Sequence, residues 1–293
     1  MMVEWGRLIT AMVTPFDENL KVDYDKAVEI ARYLVKEGST ALVVGGTTGE
    51  APTLTDEEKL ELFKVLKEKV DVPIIAGVGT NSTEKTIKLS KRVMECGVDG
   101  IMAVVPYYNK PNQEGIYRHF KAIAENVNLP VMLYNVPGRT GANMAFETVI
   151  RLSKISNIVA LKEAGGDLDQ AGKVLKGVDR DFKVYSGDDS LTLPMLSIGC
   201  YGVVSVASHV VGRKMKEMID SYLAGRVDEA AQIHLSLLPI FKDLFITANP
   251  IPVKAALRLA GYDPGSLRLP LVEADEKVVE VLKNDLKELG IIE

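Results

Sequence analysis

The sequence predicts an α/β fold of one particular kind, a (β/α)8 TIM barrel with an appended C-terminal helical region. Three observations carry this. Short apolar runs rich in β-branched residues recur at intervals of roughly 25–30 residues and are nearly unbroken by polar side chains, as in parallel strands buried on both faces. Amphipathic helical stretches fill the gaps between them. After residue 208 the strand signal stops and only helical periodicity remains.

In chain order, LITAMVT (8–14) is the first run, followed by a helical stretch over 24–36. ALVVGG (41–46) is the second. The helix after it, 56–69, opens on Thr55 with Glu58 three residues later, the spacing of a capping box. PIIAGVG (73–79) precedes a helix over 83–95, and GIMAVVP (100–106) one over 114–126. PVMLYNVP (130–137), IVALKEA (158–164), FKVYSGD (182–188) and GVVSVAS (202–208) complete the set of eight. Gly38, Gly97 and Gly199 fall where helices should end. Eight alternations in about 210 residues are the pattern of a closed barrel. A doubly wound sheet is the competing α/β reading, but it rarely needs eight such even units. Helical patterns over 212–224, 227–244, 251–259 and 275–289 follow. Residues 1–225 are therefore read as the catalytic barrel. Residues 226–293 are read as a helical region packed on it, because no low-complexity linker separates the two.

Composition narrows the function. Of 293 residues, 47% are hydrophobic and 26% charged, the balance of a soluble globular chain with a sizeable core. The net charge of −5 is spread along the chain without a basic block, which argues against a nucleic-acid partner. Cys96 and Cys200 are too few and too far apart for a disulfide framework or a zinc knuckle. The first apolar run, 8–13, is too short for the core of a signal peptide. Nowhere do about 18 uncharged apolar residues follow one another, so no membrane span is expected and the protein is read as cytoplasmic.

In such barrels the reacting groups lie at the C-terminal ends of the strands. Those ends hold Thr14, Gly46 to Glu50, Tyr107 and Tyr108, Tyr134, Lys162 and Glu163, Gly187 and Asp188, and Ser205. Among them is one lysine within a strand run, and there is no histidine. Lys162 directly follows Ile158-Val159-Ala160-Leu161. Burial on a strand disfavours its ammonium and exposes an amine able to condense with a ketone. The plainer reading is a lysine that snorkels to the barrel mouth or pairs with Glu163. Lys110 and Lys254 are weaker candidates, one after a turn-like YYN and the other in a helical pattern.

Tyr134, Tyr108 and Thr48 have hydroxyls able to pass protons, although buried tyrosines are usually core residues with one satisfied hydroxyl. The GGTTGE turn has the backbone chemistry to bind an anion, or it is a plain turn. It lacks the lysine of a P-loop, and no GxGxxG follows a strand. Arg139 in the PGRTG turn sits where a guanidinium could grip a carboxylate with two hydrogen bonds. His119, His209 and His234 show no metal-ligand spacing, and no Cys/His/Asp cluster suggests a metal.

Taken together, GTTGE (46–50), YNVPGRTG (134–141) and LKEA (161–164), with VTPF, PYYNKP, SGDD and NPIPVKAAL, resemble the pyruvate-dependent Schiff-base lyases, the family that includes N-acetylneuraminate lyase and dihydrodipicolinate synthase. The resemblance runs from about residue 6 to 289 and keeps the motif order. It implies that Lys162 forms the Schiff base and that Tyr134 is the general acid/base beside it. It implies that Thr48 relays protons between Tyr134 and Tyr108, with Tyr108 entering a neighbouring subunit's site. Thr47 and Thr48 would bind the pyruvate carboxylate, Gly187 would belong to the substrate site, and Val204 would turn its backbone carbonyl to it.

Members similar to dihydrodipicolinate synthase carry PGRT where Arg139 stands, and there the arginine binds the carboxylate of L-aspartate 4-semialdehyde. The implied reaction condenses pyruvate with that aldehyde to 4-hydroxy-tetrahydrodipicolinate, in the diaminopimelate route to lysine. It needs no cofactor and no metal. The implied assembly is at least a homodimer, and a homotetramer made of two tight dimers is expected. Lysine-inhibited members carry histidines and an acid in an allosteric pocket. Ala51, Asp56, Lys59 and Lys85 stand at those positions here, beside Asn81 and Tyr107, so weak or absent lysine inhibition is expected.

The alternative enzyme is a 2-keto-3-deoxy-sugar-acid aldolase using the same lysine, against which Arg139 argues. A non-catalytic paralogue fits poorly with a complete set of site residues. A pyridoxal-phosphate barrel is a third alternative.

Overall fold

The computed structural model describes residues 3–293. Eight parallel strands close into one barrel in sequence order: β1 (Leu8–Ala11), β2 (Ala41–Val44), β3 (Ile74–Gly77), β4 (Gly100–Val104), β5 (Val131–Asn135), β6 (Ile158–Glu163), β7 (Lys183–Ser186) and β8 (Gly202–Ser205). Helix α1 (Tyr24–Lys36) follows β1, α2 (Asp56–Lys69) follows β2, α3 (Thr83–Met94) follows β3 and α4 (Gln113–Glu125) follows β4. Two short helices, α5 (Pro137–Thr140) and α6 (Phe146–Leu152), lie between β5 and β6. Next come α7 (Leu168–Gly177), α8 (Thr192–Ser197) and, after β8, α9 (Ser208–Leu223). The chain ends with α10 (Val227–Asp243), α11 (Ile251–Leu259) and α12 (Glu276–Glu288). The closed barrel removes the doubly wound alternative.

Local chemistry explains the helix starts. Asp23, Thr55, Ser82, Asn112, Asp167 and Asp275 each cap a helix by accepting a backbone N–H with the side chain. At Thr55 the reciprocal bond from Glu58 completes the expected capping box. The PGRTG segment, read as a turn, is a single helical turn begun by Pro137 and closed by Gly141 with φ +72°. One difference from the sequence pattern is informative. Helix α9 begins before residue 212, but non-helical dihedrals at Val211 separate its first turn from the rest.

Strand residues alternate between two apolar layers. Leu42, Val44, Leu133 and Leu161 point outward to the helices, whereas Ala41, Val43, Met132, Tyr134 and Val204 fill the barrel interior. The interior is packed with side chains at its lower end, and the cavities lined by Tyr134 open at the C-terminal mouth.

The appended region is fastened to that mouth. Helix α10 packs along α9, and α12 packs on α11 and α10. Lys254 in α11 pairs with Glu50 in the β2–α2 loop at 2.8 Å, both side chains fully buried. Arg268 grips Glu58 of α2, with Nη2 2.6 Å from Oε1 and Nη1 2.8 Å from Oε2. No helix among the described residues is long and apolar enough to cross a membrane.

Candidate active site

Strand register builds the centre of the site. Tyr134 on β5 lies directly beside Lys162 on β6, and both side chains project inward. The Lys162 ammonium stands 4.4 Å from the centroid of the Tyr134 ring. Lys162 is only 5% exposed. Burial pulls its pKa down to about 8, with Arg139 adding to the fall and Asp189 opposing it. At pH 7 about one molecule in ten then carries the free amine, against roughly one in three thousand at the ordinary lysine value.

The alternative partner for Lys162 is absent. Glu163 is the next residue on the strand and therefore faces the other side of the sheet. Its carboxylate accepts from Asn135 Nδ2 at 3.0 Å, Gln170 Nε2 at 3.0 Å and the Gly165 amide at 2.7 Å. Burial pushes the Glu163 pKa upward, and those donors counter it only in part. Glu163 thus clamps strands and loops together and leaves Lys162 unpaired.

Around Lys162 is a cavity of about 170 Å³ lined by Thr47, Thr48, Tyr134, Arg139, Gly187, Val206 and Asn249 among others. Gly187 is required by close approach. A Cβ there would lie 3.1 Å from both Cγ and Cε of Lys162 and 2.6 Å from Cβ of Ala164. Its missing side chain gives the lysine stem room to reach the mouth. Arg139, carried by the α5 turn, is exposed and closes the open side.

Thr47 and Thr48 differ in their hydrogen-bond partners. Burial raises the Tyr134 pKa, while the Arg139 cation and a hydrogen bond with the Thr47 side chain lower it. The Thr48 hydroxyl instead accepts from Asn249 Nδ2 at 2.9 Å. The threonine hydrogen-bonded to Tyr134 is therefore Thr47 rather than Thr48. The physical reason is the tight turn, which sends successive side chains to different partners.

Tyr108 does not line the cavity of its own chain. It is 88% exposed at the tip of the β4–α4 loop, and its φ of +74° is uncommon for a bulky side chain. The Val204 side chain packs in the barrel interior, and Val206, two residues on, lines the cavity.

Several expected bystanders are structural. His209 is fully buried with its pKa pulled down to about 4, its Nε2 accepting from the Val13 amide and its Nδ1 bonded to the Val206 carbonyl oxygen. His119, also pulled down to about 4 by burial, is bonded to Thr83. Thr14 donates to the Gly49 carbonyl at 2.7 Å and holds the GGTTGE turn against β1. No group of three or more potential metal-ligating side chains occurs among the described residues.

A second cavity, about 250 Å³, shares Thr47, Tyr134 and Arg139 with the first and extends past Ala51, Lys59 and Tyr107. Lys59 is 8% exposed, and burial lowers its pKa against the pull of Asp56. Among the wall residues that escaped the sequence reading are two from the appended region, Phe245 and Asn249. Asn249 lies in the NPIPVKAAL motif, so the signal was present without a role attached to it.

Comparison with known proteins agrees with this geometry. The profile of the dihydrodipicolinate synthetase family matches residues 4–289. The chain belongs to that family. It is 54% identical over 293 residues to the 4-hydroxy-tetrahydrodipicolinate synthase of Desulforamulus reducens, with 99% of each chain covered. It is 56% identical to the enzyme of that name from Bacillus velezensis, covering 97% of this chain and 99% of the relative. Among solved structures, the dihydrodipicolinate synthase of Bacillus anthracis superposes with a TM-score of 0.96 at 50% identity, covering 98% of this chain and 99% of the other. DHDPS from Cyanidioschyzon merolae with lysine bound gives a TM-score of 0.97 at 48% identity, with the same coverage.

Proposed function

We propose that the chain is a lyase that condenses pyruvate with L-aspartate 4-semialdehyde to 4-hydroxy-tetrahydrodipicolinate. The observation that carries this is the unpaired, buried amine of Lys162 beside a buried phenol in a cavity of about 170 Å³ rimmed by Arg139. Full-length relatives named for this activity support the same reading.

In this mechanism the neutral Lys162 amine adds to C2 of pyruvate, and Tyr134 supplies the proton with which the C2 hydroxyl leaves as water. The iminium draws electrons from C3, so loss of a C3 proton gives an enamine. Its C3 forms the new bond to the aldehyde carbon, whose oxygen takes a proton. The substrate amine then attacks C2 of the iminium, and expulsion of the lysine closes the ring and frees the enzyme. Thr47 and Thr48 hold the pyruvate carboxylate, while Arg139 holds that of the semialdehyde in a bidentate grip.

Thr47 passes protons between Tyr134 and bulk through Tyr108 of a neighbouring copy. The exposed Tyr108 supports at least a homodimer, and a homotetramer is the assembly proposed. The protein is proposed to work in the cytoplasm.

The test is NADPH oxidation with pyruvate, aspartate semialdehyde and dihydrodipicolinate reductase. Turnover that vanishes in Lys162→Ala is expected. Absence of turnover from folded wild-type protein overturns the reading, and cleavage of 2-keto-3-deoxygluconate in its place would identify a sugar-acid aldolase.

Lysine should inhibit weakly or not at all. The buried Lys59 ammonium already occupies the wall of the second cavity and opposes another cation there. Strong inhibition at submillimolar lysine in the same assay would contradict this.

A further inference from the structure

The appended helical region does more than cover the barrel, because it contacts the substrate turn at two points. Asn249 precedes α11, lines the cavity, is 6% exposed, and donates from Nδ2 to Thr48 Oγ1 at 2.9 Å. Five residues on, Lys254 forms its buried ion pair with Glu50, which stands two residues after Thr48 and has φ +55°. A left-handed glutamate is uncommon, and the pair with Lys254, together with the Arg268 amide donating to Glu50 Oε2 at 3.1 Å, holds it there. Thr48 is thus fixed from both sides by a segment some 200 residues away in sequence.

A threonine hydroxyl has one proton and two lone pairs. When an amide N–H fills a lone pair, the proton remains free to be donated elsewhere. The other walls near Thr48 supply a cavity and the reactive amine of Lys162. We propose that Asn249 is a positioning residue for pyruvate: by donating to Thr48 it aims the Thr48 proton into the cavity, at the carboxylate of the bound keto acid. Asn249 Oδ1 is buried without a protein donor, so the amide is committed to Thr48 and not to fold-wide bonding.

This rests on the reading of Lys162 as the Schiff-base lysine, and the experiment separates the two. Borohydride trapping of pyruvate on the full-length protein is followed by intact mass across a pyruvate titration. Wild-type protein that gains no trapped adduct sinks the Schiff-base reading itself. If wild type is trapped, Asn249→Ala should reach the same maximal labelling but need roughly tenfold more pyruvate for half-labelling. That is the scale of one misdirected hydrogen bond to a charged acceptor. Asn249→Asp, which cannot donate and adds a like charge, should need still more.

A double-mutant cycle guards against a merely structural effect. In a Thr48→Val background, Asn249→Ala should raise the half-labelling concentration no further, because Asn249 acts through a hydroxyl already removed. Equal half-labelling in wild type and Asn249→Ala overturns the proposal. So does an undiminished further loss in the Thr48→Val background. Thermal melts identify any variant that fails to fold. For such a variant the cycle is read from Asn249→Ser, which keeps a short donor and should recover part of the wild-type half-labelling, and no recovery in folded Asn249→Ser also counts against the proposal.

Discussion

Lys162 on β6 and Lys254 in α11 are both buried, and desolvation opposes the charge on each. Their surroundings answer in opposite ways. Lys254 meets Glu50 at 2.8 Å, donates to the Ser266 carbonyl at 2.8 Å, and lies 4.3 Å from the Phe16 ring centroid. Burial pulls its pKa down while the Glu50 carboxylate pulls it up, and the ammonium is satisfied. Lys162 has an aromatic face and no carboxylate in contact, since Glu163 is turned away by the strand's alternation. The same residue type is therefore an ion-paired structural cation at one place and, at the other, an unpaired amine suited to the nucleophile's role proposed for it. The difference lies in whether an acid faces it.

That contrast can be broken first at the chemistry. Lys162→Ala should abolish turnover and pyruvate trapping, while Lys254→Met should leave maximal trapping by the folded fraction intact at saturating pyruvate. Next, stability should respond with opposite sign. Lys254→Met strands a buried carboxylate and should lower unfolding free energy by about 3–5 kcal/mol in urea denaturation. Lys162→Met removes an ammonium whose folded pKa lies below the unfolded one, and so should raise stability. The penalty it relieves is fully present below about pH 8 and fades as pH rises towards the unfolded lysine's value, giving up to about 3 kcal/mol at pH 7. A Lys162→Met protein less stable than wild type at pH 7 would contradict the unpaired state.

Finer still is the pH profile of kcat/KM for pyruvate, whose acid limb should fall tenfold per unit below about pH 8 as the amine protonates. Arg139→Ala removes a cation that lowers the Lys162 value and should move the limb to higher pH. Asp189→Asn removes a carboxylate that raises it and should move the limb to lower pH. An unmoved limb in Asp189→Asn would mean that burial, which pushes the Asp189 carboxyl upward, already keeps it neutral.

The smallest effect is expected at the tie between Glu58 and Arg268. The Arg268 guanidinium holds the Glu58 carboxyl down to about 2. Its contribution is complete above the ordinary glutamate range and is lost as pH falls through about 2. Glu58→Gln should therefore flatten the acid limb of a thermal-stability profile by about 1 kcal/mol or less, because the pair is partly solvated.

The strands, the capping box at Thr55 and the reactive position of Lys162 were legible in the sequence because each depends on residues close in the chain. Period, cap spacing and an apolar run interrupted by lysine are local signals. The motif order was enough to place the chain in its family. What local patterns do not encode is which side chains meet across the barrel. The unpaired state of Lys162 depends on Glu163 finding Asn135 and Gln170. The choice of Thr47 over Thr48 as the neighbour of Tyr134 depends on the shape of a turn held by Thr14 and Glu50.

The appended region shows the limit most clearly. Its helices were visible from periodicity, but Asn249 and Phe245 reach the cavity only because α10 and α11 fold back over the mouth. By itself the sequence determined the elements, the family and the candidate nucleophile. Only the tertiary structure decided which charges are paired, which hydroxyl meets which partner, and that the site is closed by residues from the far end of the chain. Pairing is set by distances between segments far apart in sequence, and those exist only once the barrel has closed.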